Sequence, residues 1–578
     1  MKVLKFGGTS VASPESISNV LSIVQEQEQC TVVVSALGGI TDLLIDAMEK
    51  AASQDSSYPS LFKLIEERHL ELIKSFIPIN KQSGLISFVK VEINRLETLL
   101  DGVAMLQEIT PKTTDKVSSF GERLSAKIIE AIFLENKLDT RLLDGHDLIQ
   151  TAQQNGRLII NWEKTKENVA RLYNSSSAKI TLVPGFVARN EKGENTTLGR
   201  GGSDFTASIL ANILNASSIE IWTDVSGMYS AHPKIVAQAK PIERLSYLEA
   251  MELSHFGAKV IYPPTLQPLV EKNIPAWIKN TFAKEDKGTL ITSGSEAPSS
   301  EVVKGMSHID NVSLVTLEGS GMVGIPGFSK RLFEVLSIEK INVIMIVQAS
   351  SEHSICIGLR TEDALQAKEI IDEEFAFEIS LKKVDPAKVE NNMVNVAMVG
   401  DNMRNHQGIS GKMFSTLGAN NVNIRAIAQG ASERNISIII AQKDIHKALN
   451  CLHEAFFEAN IKELNLFIIG VGNVGSKLLE QIEQQKNYLH NILQLRIRVI
   501  ALANSRKMLL SDAGIDLNQW QKELDNSLSS DVDAFFAHAK TLNLRNSIFI
   551  DNTADASIAT EYKRYLENNI GVVTCNKI

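Results

Sequence analysis

A repeat with an offset of 81 residues occupies the middle of this chain. Residues 341–357 (INVIMIVQASSEHSICI) align without a gap on residues 422–438 (VNIRAIAQGASERNISI). Two unrelated helices could share apolar spacing, but polar residues such as Gln348 and Gln429 match as well. Each copy has the order strand, glycine loop, helix, strand, turn, strand. The repeat therefore predicts two copies of one small α+β module, side by side.

The regions on either side of the repeat have the pattern of α/β folds. With 578 residues the chain is too long for one core, and the length indicates about three to five domains. Before the repeat, short apolar strands alternate with helical stretches, as in an α/β layer fold. Strands are predicted at 2–6, 31–37, 179–188 and 218–225, a helix at 14–27, a helical insertion at about 59–109 and a polar linker at 285–301.

A glycine motif follows the repeat. LNLFIIGVGNVGSKLLEQI contains an apolar strand, then Gly470, Gly472 and Gly475, then a helix. G-x-G-x-x-G alone is a weak signal, but this strand-before and helix-after context is typical of dinucleotide-binding domains. Further strands at 496–505, 546–553 and 571–576 complete most of one half of such a domain. The predicted domains are 1–295, 302–382, 383–460 and 461–578.

Composition excludes several other classes of protein. The net charge of -9 leaves no basic footprint for nucleic acid. Four scattered cysteines without a C-x-x-C pair argue against a disulfide framework or a zinc site, and no metal ligand is predicted. No signal peptide is visible, and no apolar run reaches the roughly 18 residues that span a bilayer. These features predict a cytoplasmic protein.

Candidate chemistry in the first region lies in short motifs with glycine or charge. KFGG at the start is not a Walker A loop, because Lys5 precedes the glycines instead of following them. Taken alone, it is better interpreted as a tight turn, and the charged residues of the other motifs as surface or first-turn helix residues. The GRGGSD loop differs, because three glycines in four residues are costly unless the backbone needs positive φ or a close ligand.

Taken together, these motifs resemble the aspartate kinases of the amino-acid kinase family. The repeat resembles that family's paired ACT regulatory domains, and GVGNVG after it resembles bifunctional aspartate kinase–homoserine dehydrogenases. The resemblance implies a three-layer α/β sandwich of the amino-acid-kinase type, tandem ACT domains and a partial Rossmann domain. It is carried, in this order, by KFGGTS (5–10), FGERLS (120–125), LGRGGSD (198–204), TDV (223–225) and HFGAKV (255–260).

The resemblance implies that MgATP phosphorylates the β-carboxylate of L-aspartate, giving 4-phospho-L-aspartate, the first step towards threonine, lysine and methionine. Such a transfer depends on positioning and on neutralising phosphoryl charge. Arginine suits bidentate binding of the substrate α-carboxylate, and a carboxylate suits its ammonium. The implied catalytic residues are Lys5, Asp204 and Lys259, and the substrate-binding residues are Thr41, Glu122, Arg200 and Ser203. The implied nucleotide-binding residues are Gly7, Gly8, Thr9, Ser10, Gly201, Gly202, Thr223, Asp224, Tyr229 and Lys234.

The nucleotide side departs from the family pattern T-D-V-D-G-x-Y-x-x-D-P-R. This chain has Ser226, His232 and Lys234 at the changed positions, and Tyr262 replaces the usual histidine before Pro263. Lysine cannot reproduce the planar fork of arginine. The departures leave a second hypothesis open, a regulatory amino-acid-binding protein whose kinase pocket has decayed.

The paired modules are expected to bind a free amino acid. The resemblance implies threonine as the effector and a homo-oligomer, dimer or tetramer, formed through these modules. Amide side chains can pair with both an ammonium and a carboxylate, although the same residues could simply cap a turn. An effector would act by shifting the population between two arrangements. The implied effector-binding residues are Asn342, Gln348, Asn423 and Gln429.

In the last region, the acidic residue that binds an adenosine ribose is missing after the second strand. Ser505, Arg506 and Lys507 stand there instead, which favours a 2′-phosphate and hence NADP(H). The alternative is a solvated basic turn. The substrate domain of a dehydrogenase does not follow, so we expect either a fragment or an early end, without useful homoserine dehydrogenase activity. The full predicted cofactor set is Gly470, Gly472, Asn473, Val474, Gly475, Ser505, Arg506, Lys507 and Thr553.

Overall fold

The chain divides into two compact units. The first comprises Met1–Tyr229 and Pro241–Ser300, and the second comprises Ser230–Lys240 and Glu301–Ile578. The computed structural model describes residues 1–154, 157–175, 178–257, 260–294, 302–348, 353–430, 434–457 and 462–577. No helix within these ranges combines the length and the apolar composition needed to cross a membrane.

A sheet of eight strands forms the centre of the first unit. Its neighbouring strands are parallel except for one antiparallel pair, β11 with β12. The strands of this unit are β1 (Lys2–Phe6), β2 (Cys30–Val34), β3 (Thr140–Leu142), β4 (Thr151–Gln154), β5 (Arg157–Ile160), β6 (Ile180–Pro184), β7 (Val187–Arg189), β8 (Asn195–Thr197), β9 (Ser218–Thr223), β10 (Arg244–Ser246), β11 (Ala276–Asn280) and β12 (Thr289–Thr292). The order across the large sheet is β10-β12-β11-β9-β1-β2-β6-β3. Because β9, β1 and β2 are parallel neighbours, their carboxyl ends meet at one edge.

Helices flank this sheet, as an α/β layer fold requires. They are α1 (Pro14–Gln25), α2 (Ile40–Ala52), α3 (Tyr58–Phe76), α4 (Gln82–Leu106), α5 (Pro111–Glu135), α6 (Gly145–Leu148), α7 (Trp162–Tyr173), α8 (Gly202–Ile213), α9 (Tyr247–His255) and α10 (Gln267–Lys272). The Ser13 hydroxyl accepts from the Ser16 amide and Pro14 opens α1, the start that the sequence predicted. The helix-rich segment predicted at 59–109 consists mainly of α3 and α4.

Two sequence predictions for the first unit are wrong in detail. The proposed linker at 285–301 contains β12, a strand of the large sheet, which follows a turn at Gly288 with φ +73°. Residues 295–301 of that segment lie outside the described residues. The strand predicted at 179–188 is two strands, because the chain turns at Gly185, where a Cβ would lie 2.6 Å from the Cβ of Ser203.

The paired modules share one antiparallel sheet of six strands, in the order β14-β15-β13-β16-β18-β17. The strands are β13 (Gly305–Glu318), β14 (Met345–Gln348), β15 (Ser354–Arg360), β16 (Lys388–Val399), β17 (Ile424–Gln429) and β18 (Asn435–Ala441). The helices are α11 (Phe328–Ile338), α12 (Ala364–Glu374), α13 (Ala376–Ser380), α14 (Ile409–Ala419) and α15 (Ile445–Phe457). The predicted repeat is confirmed, and each module also has a second long helix, α12 or α15, that the predicted element order omitted.

The last region is a Rossmann-like layer. Its strands are β19 (Lys462–Ile469), β20 (Leu495–Ala503), β21 (Lys507–Leu510), β22 (Leu528–Ser529), β23 (Ser547–Asp551) and β24 (Gly571–Thr574), in the order β22-β21-β20-β19-β23-β24. The helices are α16 (Asn473–Asn491), α17 (Trp520–Asp525), α18 (Val532–Leu542), α19 (Ala556–Ala559) and α20 (Tyr562–Glu567). Strands β20, β19, β23 and β24 are parallel, as a dinucleotide-binding sheet requires.

Candidate functional site

An ion pair lies at the carboxyl edge of the first unit's sheet. Lys5 is near the end of β1, and Asp204 is in the first turn of α8. The Lys5 Nζ lies 2.7 Å from the Asp204 Oδ1, and the two side chains are 11% and 12% exposed. The structure thus brings together two residues that the sequence placed in separate motifs. An ammonium held at a strand end beside a glycine loop is suited to binding an anion.

The glycine loop after β1 packs tightly against the loop after β2. The Gly38 amide donates to the Gly8 carbonyl at 2.9 Å. A Cβ on Gly8 would lie 3.2 Å from the Ala36 carbonyl oxygen, and a Cβ on Gly7 would lie 3.4 Å from the Lys5 Nζ. Gly8 therefore leaves little room for a larger residue, whereas the distance at Gly7 is an ordinary van der Waals contact.

The second glycine loop leads into α8. Gly201 has φ +69°, and a Cβ there would lie 2.5 Å from the Cβ of Tyr262. Ser203 and Asp204 are buried in the first turn, whereas Arg200 is exposed on the loop. The first amides of this 12-residue helix begin beside the lysine-bound Asp204. The Gly202 amide donates to the Gly199 carbonyl at 2.9 Å, so it is not available to a ligand. The positive end of the helix and a nearby ammonium form a favourable environment for phosphate.

Glu122 in α5 is a buried carboxylate. The residue is 4% exposed, and its Oε2 has no hydrogen-bond partner among the described residues. Burial raises the pKa of the Glu122 carboxyl to about 7, although a hydrogen bond to the Ala36 backbone and the charge of Lys5 act in the opposite direction. A buried oxygen without a partner is unusual in a folded protein. This oxygen is therefore suited to binding a positively charged ligand.

Three other predicted residues have different surroundings. Thr41 is half-buried in the first turn of α2, two residues after Gly39, which has φ +80°. Thr9 is exposed in the turn after the glycines. Ser10 is fully buried, and its hydroxyl donates to the Trp222 carbonyl at 3.1 Å, so the structure does not bring this group to the loop surface.

The predicted nucleotide residues Thr223 and Asp224 lie at the end of β9 and directly after it, and the Thr223 hydroxyl donates to the Asp224 carboxylate at 3.1 Å. Ser226, one of the family departures, donates to the carboxylate of Asp286 and accepts from the Asn280 Nδ2. Asp286 thus places a carboxylate beside the position where the family pattern has aspartate.

Sequence reasoning missed a second lysine at this edge. The Lys279 Nζ lies 5.1 Å from the ring centre of Trp222. The structure shows why: β11 runs parallel to β9, with Asn280 opposite Thr223, so the two strands end at a common edge. No strand was predicted at 276–280, so the sequence carried no signal for this lysine.

The predicted nucleotide residues Tyr229 and Lys234 belong to different units. Lys234 is exposed and belongs to the segment Ser230–Lys240 of the second unit, whereas Tyr229 belongs to the first unit. Lys259 lies outside the described residues. Its predicted catalytic role therefore stays a prediction.

The four predicted effector amides are all exposed. Gln348 ends β14 and Gln429 ends β17, the two edge strands of the six-stranded sheet, and Asn342 and Asn423 precede these strands. The Gln429 Oε1 accepts from the Ser410 hydroxyl at 3.1 Å. Sequence reasoning missed a cavity of about 190 Å³ in the first module, which Gly321, Ile325, Pro326, Gly327 and Phe377 help to line.

The glycines after β19 fit a dinucleotide. A Cβ on Gly475 would lie 1.9 Å from the Gly470 carbonyl oxygen, so that position accepts only glycine. A Cβ on Gly472 would meet no atom within 4 Å, which leaves the start of α16 open. Asn473 and Val474 are exposed there, and the Thr553 amide donates to Asp551 at 2.7 Å.

The turn after β20 presents two of its three predicted side chains. The Asn504 Oδ1 accepts from the amides of Arg506 and Lys507, at 2.8 and 2.7 Å, and so fixes the turn. Ser505 and Arg506 are exposed, whereas the Lys507 ammonium donates to the Ser527 carbonyl at 2.8 Å. Arg506 is therefore the cation that remains available to a ligand.

Comparison with family models gives a consistent domain series. The model of the amino acid kinase family matches residues 1–280. The ACT domain model matches 315–375 and 396–456. The model of the homoserine dehydrogenase NAD binding domain matches 470–578.

Comparison with whole proteins finds relatives along the full chain. The bifunctional aspartokinase/homoserine dehydrogenase of Haemophilus influenzae is 36% identical over 586 residues, which cover 100% of this chain and 71% of that protein. A chloroplastic bifunctional aspartokinase/homoserine dehydrogenase of Arabidopsis thaliana is 34% identical, with 100% of this chain and 64% of that protein covered. Among solved structures, E. coli aspartokinase III in complex with aspartate and ADP matches with a TM-score of 0.68 and 28% identity, covering 79% of this chain and all of that one.

Proposed function

This chain belongs to the bifunctional aspartokinase/homoserine dehydrogenase family, and we propose that its first unit transfers the γ-phosphate of ATP to the β-carboxylate of L-aspartate. The decayed-pocket alternative is not favoured, because relatives named as aspartokinases match the entire chain and the Lys5–Asp204 pair is in place. The Asp286 carboxylate beside Ser226 also compensates one of the departures on which that alternative depends.

The observation that carries this proposal is a buried carboxylate oxygen without a partner together with an ammonium that is held in place. The Glu122 Oε2 is buried without a partner among the described residues, and Lys5 is fixed by Asp204. A small zwitterionic substrate needs both kinds of group, a carboxylate for its ammonium and cations for the acyl phosphate. The contact of Asp204 with Lys5 also favours a role in holding that lysine over direct binding of Mg²⁺.

In the proposed reaction a β-carboxylate oxygen of aspartate attacks the γ-phosphorus, and the bond to the β,γ-bridging oxygen breaks. ADP leaves with the bonding electron pair, and the product is an acyl phosphate. Lys5 and the amides of Gly8 and Gly201 would neutralise the phosphoryl oxygens, with Mg²⁺ arriving on ATP. The predicted amides of Gly7 and Gly202 donate instead to the Trp222 and Gly199 carbonyls, at 3.1 and 2.9 Å. Arg200 would bind the α-carboxylate as a bidentate pair.

We expect formation of aspartyl hydroxamate from ATP, Mg²⁺, aspartate and hydroxylamine, with no product when ATP or aspartate is omitted. The reason is that hydroxylamine captures an acyl phosphate as it forms. The colour of the iron–hydroxamate complex measures the product. Glutamate in place of aspartate is the matched control, since it keeps both charges and moves the reacting carboxylate by one methylene. Well-folded protein that forms no hydroxamate would refute the proposal.

We propose that a free amino acid, threonine, regulates this activity through the ACT domains and that the chain assembles as a homo-oligomer. Support comes from the two glutamines, which end the two edge strands at equivalent positions and are exposed to a ligand or a neighbouring chain. Adding threonine, lysine and methionine in turn to the hydroxamate assay tests the effector. Inhibition by lysine or methionine alone would overturn the choice of threonine.

For the last region we propose a dinucleotide site that prefers NADP(H). When bound, such a cofactor would supply hydride chemistry, and the open glycine turn before α16 would receive its pyrophosphate. Ser505 and Arg506 would bind a 2′-phosphate. The chain spans 71% and 64% of the two bifunctional relatives described above, and we propose only dinucleotide binding for this region.

Replacing Arg506 by alanine is expected to raise the Kd for NADPH about tenfold or more and to leave that for NADH unchanged. A charge-assisted hydrogen bond is worth roughly 1.5–3 kcal/mol, and only NADPH has the phosphate that receives it. Fluorescence titration with each nucleotide measures both constants. Lys486→Ala, which removes an exposed lysine of α16, is the control and should change neither constant. Equal weakening of both nucleotides by Arg506→Ala would contradict the proposal.

A further inference from the structure

The segments that follow β1 and β2 in the candidate site are joined by a side chain from the helical insertion. Arg68 lies in α3, and its Nη1 donates to the Gly38 carbonyl at 2.6 Å while its Nη2 donates to the Ala12 carbonyl at 3.2 Å. Gly38 belongs to the loop between β2 and α2, and Ala12 to the turn between β1 and α1. One guanidinium therefore connects Ala12, which follows the glycine loop after β1, with Gly38, which precedes Thr41.

We infer that Arg68 is a positioning residue for phosphoryl transfer. Through Arg68, helix α3 helps to hold the loops of the site in place. This inference rests on the proposed kinase reaction. The two loops already touch, because the Gly38 amide donates to the Gly8 carbonyl, and Arg68 closes the same junction from the opposite side of Gly38. Glycine-rich backbone has much conformational freedom, and such a junction removes it where the phosphoryl group must be placed.

The guanidinium suits this role for two reasons. Its planar fork can donate two hydrogen bonds in fixed directions at once, which an ammonium cannot reproduce. Among the described residues, no carboxylate lies within ion-pair distance of Arg68, so both donors are committed to main-chain carbonyls. The uncompensated charge also lies close to Gly39, where a Cβ would be 3.7 Å from the Arg68 Nη1, at the start of the helix that carries Thr41.

The insertion has a second attachment near Glu122, the carboxylate proposed to bind the substrate ammonium. Glu92 of α4 is buried, and its Oε2 lies 3.6 Å from the Nη1 of Arg123, the neighbour of Glu122 in α5. Helices α3 and α4 thus contact the site from two sides, at the loops through Arg68 and at α5 through Glu92. This arrangement gives the insertion a function beyond enlarging the core.

Replacing Arg68 by methionine is expected to lower kcat/KM about 30- to 100-fold, mostly through kcat, because a displacement of about 1 Å of a catalytic group costs about 100-fold. Arg68→Lys, which keeps the charge but not the fork, should lose about tenfold. Millimolar guanidinium should restore part of the activity of Arg68→Ala. Lys63→Met, an exposed lysine of the same helix, is the matched control and should stay within twofold.

Hydrogen exchange of the backbone amides separates this inference from the proposed function. In Arg68→Met, amide exchange in segments 7–12 and 38–41 should accelerate at least tenfold, while exchange in the strands of the sheet stays unchanged. This result is expected whether or not the parent chain is an active kinase. Unchanged exchange in both segments would overturn the inference. Faster exchange together with unchanged kcat/KM in an active parent would also overturn it, since the junction would then be structural only.

Discussion

Replacing Lys5 by methionine is expected to lower kcat/KM for ATP and aspartate about 1,000-fold or more. The Lys5 ammonium lies beside Gly7 at the sheet edge and is held at 2.7 Å by Asp204. Phosphoryl transfer spreads negative charge over three oxygens, and a fixed cation in a site with little water stabilises that charge strongly. Initial rates in the hydroxamate assay, with each substrate varied in turn, measure the loss.

The same substitution should also destabilise the fold, and the two effects need to be separated. Methionine would leave the Asp204 carboxylate nearly buried without its cation, and breaking a buried pair costs about 3–5 kcal/mol. The double variant Lys5→Met/Asp204→Asn has no lone charge, so it should recover most of the free energy of unfolding while remaining inactive. Recovery of activity in the double variant would show that Lys5 acts only on stability.

Lys2→Met is the matched control for this pair of variants. Lys2 lies in the same strand, its Nζ is 3.0 Å from the Glu220 Oε1, and its side chain is 43% exposed. Removing it deletes an equal charge from β1 at a position away from the carboxyl edge. We expect kcat/KM to stay within threefold of the parent value, and a loss as large as that of Lys5→Met would contradict the specific role of Lys5.

The elements that sequence could predict have strong local signals. The apolar run before Gly7 and the Ser13-Pro14 helix start depend on neighbouring residues, and both are present in the structure. Local signals did not predict elements whose structure depends on hydrogen-bond partners distant in the sequence. TLIT at 289–292 lies in a polar segment, yet it is β12, because β10 and β11 provide its hydrogen-bond partners.

The contacts that sequence could not predict join distant positions or involve the main chain. Arg68 donates to carbonyls, and since every residue has a carbonyl, no partner residue type marks the contact. Asp286 reaches Ser226 from a loop that sequence reasoning assigned to a linker. By contrast, Lys5 and Asp204 were predicted as candidates because each lies in a glycine motif, although their direct contact needed the structure.

The KM for aspartate is expected to rise about tenfold for each pH unit below 7 and to level off above pH 8. Burial raises the pKa of the Glu122 carboxyl to about 7, and only its ionised form can bind the substrate ammonium. Glu122→Gln should raise KM about 100-fold and remove this pH dependence. Glu130→Gln, in the same helix and paired with Lys127 at 2.6 Å, is the control and should keep it. A pH dependence that persists in Glu122→Gln would assign the titration to another group.

Because of the same carboxylate, we expect the free energy of unfolding to fall as pH rises, whereas aspartate binding improves. The folded pKa of about 7 lies above the ordinary value of 4.5, so the stabilising contribution is present below pH 4.5 and is lost as pH rises through 7. That loss amounts to about 3 kcal/mol. Glutamine has no charge to bury, so Glu122→Gln should have the higher free energy of unfolding at pH 8 in denaturant titrations without substrate. Aspartate should stabilise the parent and not the variant, because its ammonium is the partner that the buried Oε2 lacks. A variant less stable than the parent at pH 8 would mean that the fold itself uses this charge, which would remove the main support for Glu122 as the substrate's counter-ion.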